Sequence, residues 1–242
     1  MRVRGERECR DCGTRWSYYD TGSVTCPACG SVASRGLDDE RALHTEGAGT
    51  LALDEVRAAV DERPLEELAA DAKEACLAYV RQDGFLHGGE LGPLDDTHLA
   101  ARELAHVADV VGRSLDLADD EELYLLELLR GADRGERPAA DAVPDSLQAA
   151  RGLAASEAVR QYGREVRDWL AEHPHPEVDA VLTDLDQHAR RIGALQGDVA
   201  PATAERLVAV TGDCWRYLVE GDETALPAAR DRLDRLQSIQ VD

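Results

Sequence analysis

Lysine and aromatic side chains are scarce in this sequence. Lys73 is the single lysine among 27 basic residues, phenylalanine occurs once, and aromatic residues make up 4% of the 242 positions. A hydrophobic core must therefore be built mainly from leucine, valine and alanine. This composition favours packed helices over sheets, because strands are enriched in aromatic residues.

Long apolar segments are also absent. No stretch approaches the 18 consecutive apolar residues of a membrane-spanning helix, and the opening residues, "MRVRGERECRDCG", lack the apolar run of an export signal. We therefore expect a cytoplasmic protein that has no membrane partner.

Positive charge is in deficit. The chain has 49 acidic residues against 27 basic ones, for a net charge of −22. An acid excess with almost no lysine is typical of a halophilic protein, because carboxylates keep a surface hydrated in concentrated salt. At ~1 M salt the Debye length is only ~3 Å, so this charge does not exclude a nucleic-acid partner.

The first 36 residues differ from the rest of the chain. They contain six arginines against four acidic residues. Below ~40 residues a chain usually needs a metal ion or disulfides in order to fold. We predict a zinc ribbon over 1–36, a linker over 37–52 and a helical bundle domain over 53–242.

The third region is patterned as helices. Apolar residues recur at three- and four-residue spacing over 65–79, 104–115 and 178–192, as they do on one face of a helix. Segments that contain glycine and proline interrupt this pattern at several points. The sequence predicts a mainly α fold, in which a small N-terminal ribbon of β-hairpin knuckles precedes an antiparallel bundle of about seven helices.

Four of the six cysteines form two Cys-x-x-Cys pairs, Cys9/Cys12 and Cys26/Cys29, with 13 residues between the pairs. This spacing is typical of a tetrahedral four-thiolate metal site, in which each pair forms one knuckle. A glycine follows each pair, and a positive φ there turns backbone N–H groups toward the sulfur atoms. A closed set of four thiolates predicts one structural zinc ion.

Other roles for the cysteine pairs are weaker. Disulfides require an oxidising compartment, and a redox-active Cys-x-x-Cys does not need a second pair. Iron in a rubredoxin-like site is the main competitor of zinc, because four-cysteine knuckles bind either metal. The remaining cysteines, Cys76 and Cys214, fall on apolar helical stripes and are predicted to be buried.

The ribbon also carries basic and aromatic residues that could contact phosphates and stack on bases. These residues are Arg2, Arg4, Arg7, Arg10, Arg15, Trp16, Tyr18 and Tyr19. In the alternative interpretation, Trp16 and one tyrosine cover the small core, and the ribbon is purely structural or docks on a protein.

The stretch "GERECRDCGTRWSYYDTGSVTCPACGS" resembles the N-terminus of a haloarchaeal family of uncharacterised proteins with a transcription factor IIB-type zinc ribbon. The resemblance continues through "GFLHGGELGPLDDTHLAARELAHVADVV". It implies that Cys9, Cys12, Cys26 and Cys29 bind zinc, and it implies no established activity. In the initiation factor itself, two cyclin-like repeats with basic surfaces follow the ribbon. The acidic region of this chain shows no such duplication.

A second group of polar residues lies between positions 85 and 111. It consists of His87, Asp95, His98, Glu103 and His106. Glu103-x-x-His106 is a helical pattern from which di-iron bundles draw ligands, so a rubrerythrin-like iron redox protein is an alternative. That site requires a second Glu-x-x-His helix, which the sequence lacks.

A simpler interpretation of this region is one polar helix face. His98, Arg102, His106, Asp109 and Arg113 recur at helical spacing. Such a stripe is usually a solvated face with salt bridges along it.

These features indicate a binding or regulatory protein of a halophile rather than an enzyme. Its partners would be nucleic acid or a protein, in the transcription or translation machinery. A protein-only scaffold is a further interpretation. Nothing in the sequence indicates an oligomeric state.

Overall fold

The computed structural model describes residues 1–47, 49–114 and 116–238. Three parts of the predictions lie outside the described residues. They are Ala48 in the predicted linker, Leu115 at the end of a predicted apolar stripe, and 239–242 in the predicted bundle.

The N-terminal part is a small antiparallel β structure, as predicted. Strands β2, β3 and β4 form a sheet in the order β3-β2-β4, and β1 pairs with β5. The strand bounds are Arg2–Val3 (β1), Glu6–Cys9 (β2), Arg15–Ser17 (β3), Ser34–Gly36 (β4) and Ala42–Leu43 (β5). A short helix, α1 (Tyr18–Thr21), follows β3.

Most of the described chain is helical. Seven helices in it, α3 to α9, have 13 or more residues, which confirms the prediction of about seven. The helices are α2 (Asp54–Ala58), α3 (Leu65–Gln82), α4 (Asp96–Val111), α5 (Asp119–Gly131), α6 (Gln148–Leu170), α7 (Pro176–Ala194), α8 (Pro201–Trp215) and α9 (Ala225–Ser238). None of the described helices is long and apolar enough to cross a bilayer.

Local sequence explains where several helices start and stop. The Asp95 carboxylate accepts a hydrogen bond from the Thr97 N–H at 3.1 Å and so caps the start of α4. Helices α7 and α8 begin with a proline, which is tolerated at the first helical position because its missing N–H has no partner there. After α7 the chain turns through Gly197, whose φ is +81°.

The core has two main parts. The first lies between α3, α4 and α5 and includes Leu68, Cys76 and Leu104, and the second lies among α6 to α9 and includes Tyr162 and Cys214. Both cysteines are fully buried, as the apolar stripes predict. Helix α4 packs against both α3 and α6 and therefore runs between the two parts.

The glycine-rich segment before α4, which the sequence places only as an interruption of the helical pattern, is a β-hairpin. Strands β6 (Leu86–His87) and β7 (Glu90–Leu91) pair across Gly88 and Gly89, whose φ values are +57° and +95°. Two successive positive φ values belong to the tight turn that suits a two-residue hairpin. The hairpin packs in the second part of the core through Leu86 and Leu91.

The segment 37–52 contacts both of its neighbours. It supplies β5, which pairs with β1 of the ribbon. The N–H groups of Thr45 and Glu46 donate to the carbonyl of Leu86 in the hairpin at 2.8 and 3.1 Å. The predicted boundaries at 36 and 52 stay a prediction, but residues 42–46 of this segment are bound to both of its neighbours.

Candidate metal centre

The four cysteines predicted as ligands come together in space. Their Sγ atoms all lie within 4.8 Å of one another. The Sγ atoms of Cys9 and Cys29 are 3.6 Å apart, as are those of Cys12 and Cys26. A tetrahedral zinc ion with Zn–S bonds of ~2.3 Å separates its sulfur ligands by ~3.8 Å. The four residues therefore fit one tetrahedral metal ion, plausibly zinc.

The two knuckles have the same backbone hydrogen bonds. In each, the N–H of the first cysteine donates to the carbonyl five residues later, and the glycine four residues later donates back to the cysteine carbonyl. The distances are 2.9 Å (Cys9 to Thr14), 3.1 Å (Gly13 to Cys9), 2.8 Å (Cys26 to Ser31) and 2.9 Å (Gly30 to Cys26). Two turns of the same geometry bring their thiols together, which indicates that all four thiols share one metal ion.

The glycines that follow each pair are required by backbone conformation. Gly13 has φ +77° and Gly30 has φ +73°, and a Cβ at either position would meet no atom within 4 Å. Space therefore does not select glycine here. The left-handed backbone conformation favours glycine, because this conformation costs a residue with a Cβ about 1–2 kcal/mol.

The ribbon is built around the sulfur atoms. Cys9 and Cys26 are buried, whereas Cys12 and Cys29 are exposed. Trp16 is only 7% exposed and forms a small cluster with Cys9 and Cys26. Its indole N–H donates to the Ser23 carbonyl at 3.0 Å. A core of this size buries little apolar surface, and small modules of this kind usually depend on a metal ion or disulfides for folding.

The thiols of the cluster have different proton affinities. The Thr14 side chain and then its backbone N–H lower the pKa of Cys12 to about 6. At Cys29 the Ser31 backbone lowers the pKa, but contacts with the other sulfur atoms outweigh it and raise the pKa to about 12. Four crowded thiols resist complete ionisation, and a dication favours their thiolate forms because it neutralises the negative charge. Metal binding at this centre should therefore release protons.

Most of the ribbon arginines have partners within the chain. The contacts are Arg2 with the Glu172 carboxylate, Arg4 with the Asp39 carbonyl at 3.4 Å, Arg7 with the Ser34 hydroxyl at 2.9 Å, and Arg15 with the Glu8 carboxylate at 3.0 Å. The exposed Arg10 side chain has no such contact among the described residues. These positions as a nucleic-acid surface stay a prediction. Arg2 and Arg15 pair with carboxylates, whereas Arg4 and Arg7 contact only neutral oxygen atoms.

The aromatic residues of the ribbon pack against other parts of this chain. Trp16 belongs to the metal-site core, as the alternative interpretation predicts. Tyr18 and Tyr19 contact the buried His44, with ring centroids 6.0 and 4.8 Å apart. Tyr19 also lies 5.6 Å from His87 of the hairpin. These rings are therefore used to join the ribbon to the helical part.

The contact around Tyr19, His44 and His87, which we call the aromatic joint, is closely packed. The His44 and His87 rings are 5.3 Å apart, and the Gly88 N–H donates to His44 Nδ1 at 3.4 Å. Burial, followed by the charge of His87, lowers the pKa of His44. His87 pairs with Glu46, with Nδ1 2.9 Å from the carboxylate. The joint thus links the ribbon, the segment 37–52 and the hairpin.

Three aromatic side chains of the helical bundle donate hydrogen bonds to backbone carbonyls of the hairpin and of the residue after it. The indole N–H groups of Trp169 and Trp215 donate to the carbonyls of Gly89 and Leu91, both at 3.0 Å. The Tyr162 hydroxyl donates to the Gly92 carbonyl at 3.2 Å. The hairpin is therefore a fixed platform for the ribbon.

Glu165 completes this platform, and the sequence analysis did not find it. Its carboxylate accepts hydrogen bonds from the Phe85 N–H at 2.7 Å, from the Thr45 hydroxyl and from the Gln161 side chain at 3.3 Å. It therefore fixes the hairpin and the segment 37–52 to α6. Only the "LHGGEL" pattern, in which one polar and one apolar residue flank two glycines on each side, could have indicated the hairpin itself.

The structure does not bring the second group of polar residues together. His87 belongs to the aromatic joint and Asp95 caps α4. His106 faces Glu157 at 3.3 Å. Among the described residues, only the four cysteines form a group of three or more side chains placed to hold a metal ion. The described residues therefore do not form the second metal site of a rubrerythrin-like protein.

The interpretation of His98 and Arg102 as part of a solvated face is wrong. The His98 side chain is fully buried, and its Nδ1 lies 2.8 Å from the Asp83 carboxylate. Arg102 Nε donates to His98 Nε2 at 2.9 Å. Helix α6 covers this part of α4, so the polar side chains pair within the helix interface.

Glu103 lies in a different buried network. Its carboxylate accepts a hydrogen bond from the Tyr124 hydroxyl and pairs with Arg137 at 3.1 Å and Arg151 at 3.5 Å. Arg151 pairs in turn with Glu205 at 2.7 Å. Two arginines and two glutamates thus neutralise one another between α4, α6 and α8.

Comparison with known proteins identified one family. Neither the curated proteins nor the solved structures gave a match to the chain. The predicted haloarchaeal and transcription factor IIB-type relationship therefore stays a prediction. The family described as "Family of unknown function (DUF7117)" matches residues 1–233. The chain belongs to this family, and its N-terminal four-cysteine cluster lies within the matched region.

Proposed function

We propose that the protein is a non-catalytic binding protein in which one zinc ion stabilises a ribbon that docks on another protein. Four thiolates complete the coordination of a tetrahedral ion and leave no position for a substrate. The ion would therefore act on folding, and recognition would take place on the surface of the ribbon.

The observation that carries this proposal is an apolar surface beside the knuckles. Val24 is 44% exposed and Val32 is 76% exposed, and Pro27 and Ala28 of the second knuckle are exposed as well. We call these four residues the ribbon tip. Four exposed apolar residues within nine positions of so small a module favour a protein contact.

The charge of the chain supports the same choice. We infer that the protein works in concentrated salt, because it carries −22 with a single lysine. At ~1 M salt, charges on a nucleic-acid backbone are screened beyond ~3 Å, whereas apolar contacts are not weakened. Arg2 and Arg15 of the ribbon already pair with carboxylates of the chain, which reduces the positive charge that a nucleic acid could contact.

Metal analysis of the purified protein tests the first part of the proposal. We expect one zinc per chain and a colourless solution. Replacing both cysteines of the second knuckle (Cys26→Ser with Cys29→Ser) should abolish metal binding and unfold the ribbon, while most of the helical circular dichroism remains. Cys76→Ala, in the helical core, should keep the metal. A red protein with thiolate-to-iron absorption bands would support the iron alternative instead.

Capture from lysate in concentrated KCl tests the second part. The bait would be the intact chain, compared with Val32→Asp and with the matched control Val219→Asp, which alters a 46% exposed valine outside the ribbon. We expect a protein that survives nuclease treatment, is lost with Val32→Asp and is kept with Val219→Asp. Capture that depends on nuclease-sensitive material would show the nucleic-acid alternative. Equal capture by both variants would remove the ribbon tip from the proposal.

A further inference from the structure

A cleft lies between α3, α4 and α6, away from the metal centre. Its volume is ≈ 260 Å³. Its charged lining residues are Lys73, Arg102, His106, Asp109, Arg113 and Glu157. The cleft therefore contains the one lysine of a chain that otherwise uses arginine for positive charge.

Each carboxylate in the cleft is shared by two cationic side chains. Asp109 pairs with Lys73 and, at 2.6 Å, with Arg113. Glu157 pairs with Arg102 at 2.9 Å and with His106 at 3.3 Å. Three permanent cations against two carboxylates leave a charge of +1, or +2 when His106 is protonated. This local excess contrasts with the net charge of −22 for the whole chain.

The excess charge is held in place and partly desolvated. The Arg102 side chain is only 15% exposed, and it donates to His98 at 2.9 Å and to Gln161 at 2.5 Å. Burial lowers the pKa of Arg102, the carboxylates of Glu157 and Asp83 raise it, and the charge of Arg164 lowers it. An arginine stays charged nevertheless. An anion bound in the cleft would add to the neutralisation of this partly buried cation.

One side of the cleft is apolar. Leu77, Val80 and Ala105 line it beside the charged groups, and Leu77 is 39% exposed. Pockets for larger organic ligands usually measure ~300–1,000 Å³, so this cleft suits a small molecule. We propose that it binds a small organic phosphate monoester, with the phosphate near Lys73 and Arg113 and the organic group on Leu77.

The choice of phosphate follows from charge and donor geometry. A phosphate monoester carries about −1.5 to −2 at pH 7, which matches a site of +1 to +2. Lysine and arginine both bind phosphate oxygens through charge-assisted hydrogen bonds. A carboxylate ligand carries a charge of −1 and would neutralise only half of the +2 that the cleft carries when His106 is protonated.

Calorimetric titration of the full-length protein with phenyl phosphate tests this assignment, at the KCl concentration that keeps the chain folded. We expect saturable binding that weakens ~10-fold or more in Lys73→Gln and in Arg113→Gln, because each loses a charge-assisted contact. The matched control is Arg63→Gln. Arg63 belongs to the same region and pairs with Glu67 at 3.2 Å and Asp71 at 2.6 Å, but it lies outside the cleft.

Several outcomes would overturn the proposal. They are the absence of saturable binding by the wild-type chain, equal weakening in Arg63→Gln, and benzoate binding as tightly as phenyl phosphate. Thermal melts of each variant separate loss of binding from loss of fold. Because the titration does not depend on the ribbon, its result is independent of the proposed protein-binding function.

Discussion

At the scale of single residues, charged side chains in the interior occur in groups that neutralise one another. Glu103 is fully buried between a tyrosine and two arginines. Removing one member of such a group costs more than the pair contributes, because the remaining charge stays buried without a partner.

Replacing the buried glutamate tests this argument. Glu103→Ala should lower the free energy of unfolding by about 3–5 kcal/mol, since Arg137 and Arg151 would lose their neutralising charge. Glu127→Ala changes an exposed glutamate on α5 and should have an effect within about 0.5 kcal/mol. Urea denaturation of both variants at one salt concentration measures the difference. Equal effects would mean that water replaces the lost carboxylate.

At the scale of elements, the hairpin formed by β6 and β7 decides where the ribbon sits. The bundle holds its carbonyls through Trp169, Trp215 and Tyr162. Tyr19 of the ribbon and His44 of the segment 37–52 contact its turn. The turn needs two glycines, because both residues have positive φ.

A pair of glycine substitutions tests the role of this turn. Gly88→Ala should destabilise the protein by more than about 1 kcal/mol, because the residue would keep a positive φ and its Cβ would lie 3.0 Å from the Tyr19 ring. The Gly89 N–H, which donates to Leu43 at 2.7 Å, should then exchange hydrogen faster.

The control has the opposite expected sign. Gly212 lies inside α8, and a Cβ there meets no atom within 4 Å. Gly212→Ala should therefore stabilise the protein by about 0.5–1 kcal/mol, because alanine loses less backbone freedom in a helix. If Gly88→Ala raised stability as well, the aromatic joint would not depend on the turn.

At the scale of the whole molecule, the net charge should make stability depend on salt. A chain with −22 repels itself when folded, and raising KCl from 0.1 M to 1 M shortens the Debye length from ~10 Å to ~3 Å. The free energy of unfolding should therefore rise with KCl. This increase in unfolding free energy should be smaller near the isoelectric point of about 4.6 than at pH 7, because the net charge is then close to zero. A rise of the same size at both pH values would point to salt-induced strengthening of apolar contacts instead.

Stability should also fall as the pH drops below neutrality. Burial lowers the pKa of both His44 and His188 in the folded chain. The unfolded chain therefore binds more protons below its ordinary histidine pKa of ~6.5, so stability is full above that pH and is lost as the pH falls. His188→Gln should show a smaller slope of unfolding free energy between pH 7.5 and 5.5 than the wild type. An unchanged slope would exclude His188 from this effect.

The sequence by itself determined the four-cysteine cluster and the helical character of the chain. The clustering of these cysteines follows from spacing alone, because the two knuckles are local turns whose geometry depends on the cysteines and on Gly13 and Gly30. The helices follow from apolar periodicity in the same way. The same periodicity indicated that Cys76 and Cys214 are buried.

Only the tertiary structure decided which polar residues are covered. Periodicity places His98 and Arg102 on the face of α4 opposite its apolar stripe, but it does not show that α6 packs over them. The same holds for Glu103, whose neighbours come from distant parts of the chain, and for Tyr19, which meets His87 across 68 positions. Such contacts depend on how elements pack, and packing of elements far apart in sequence leaves no local pattern in the residues themselves.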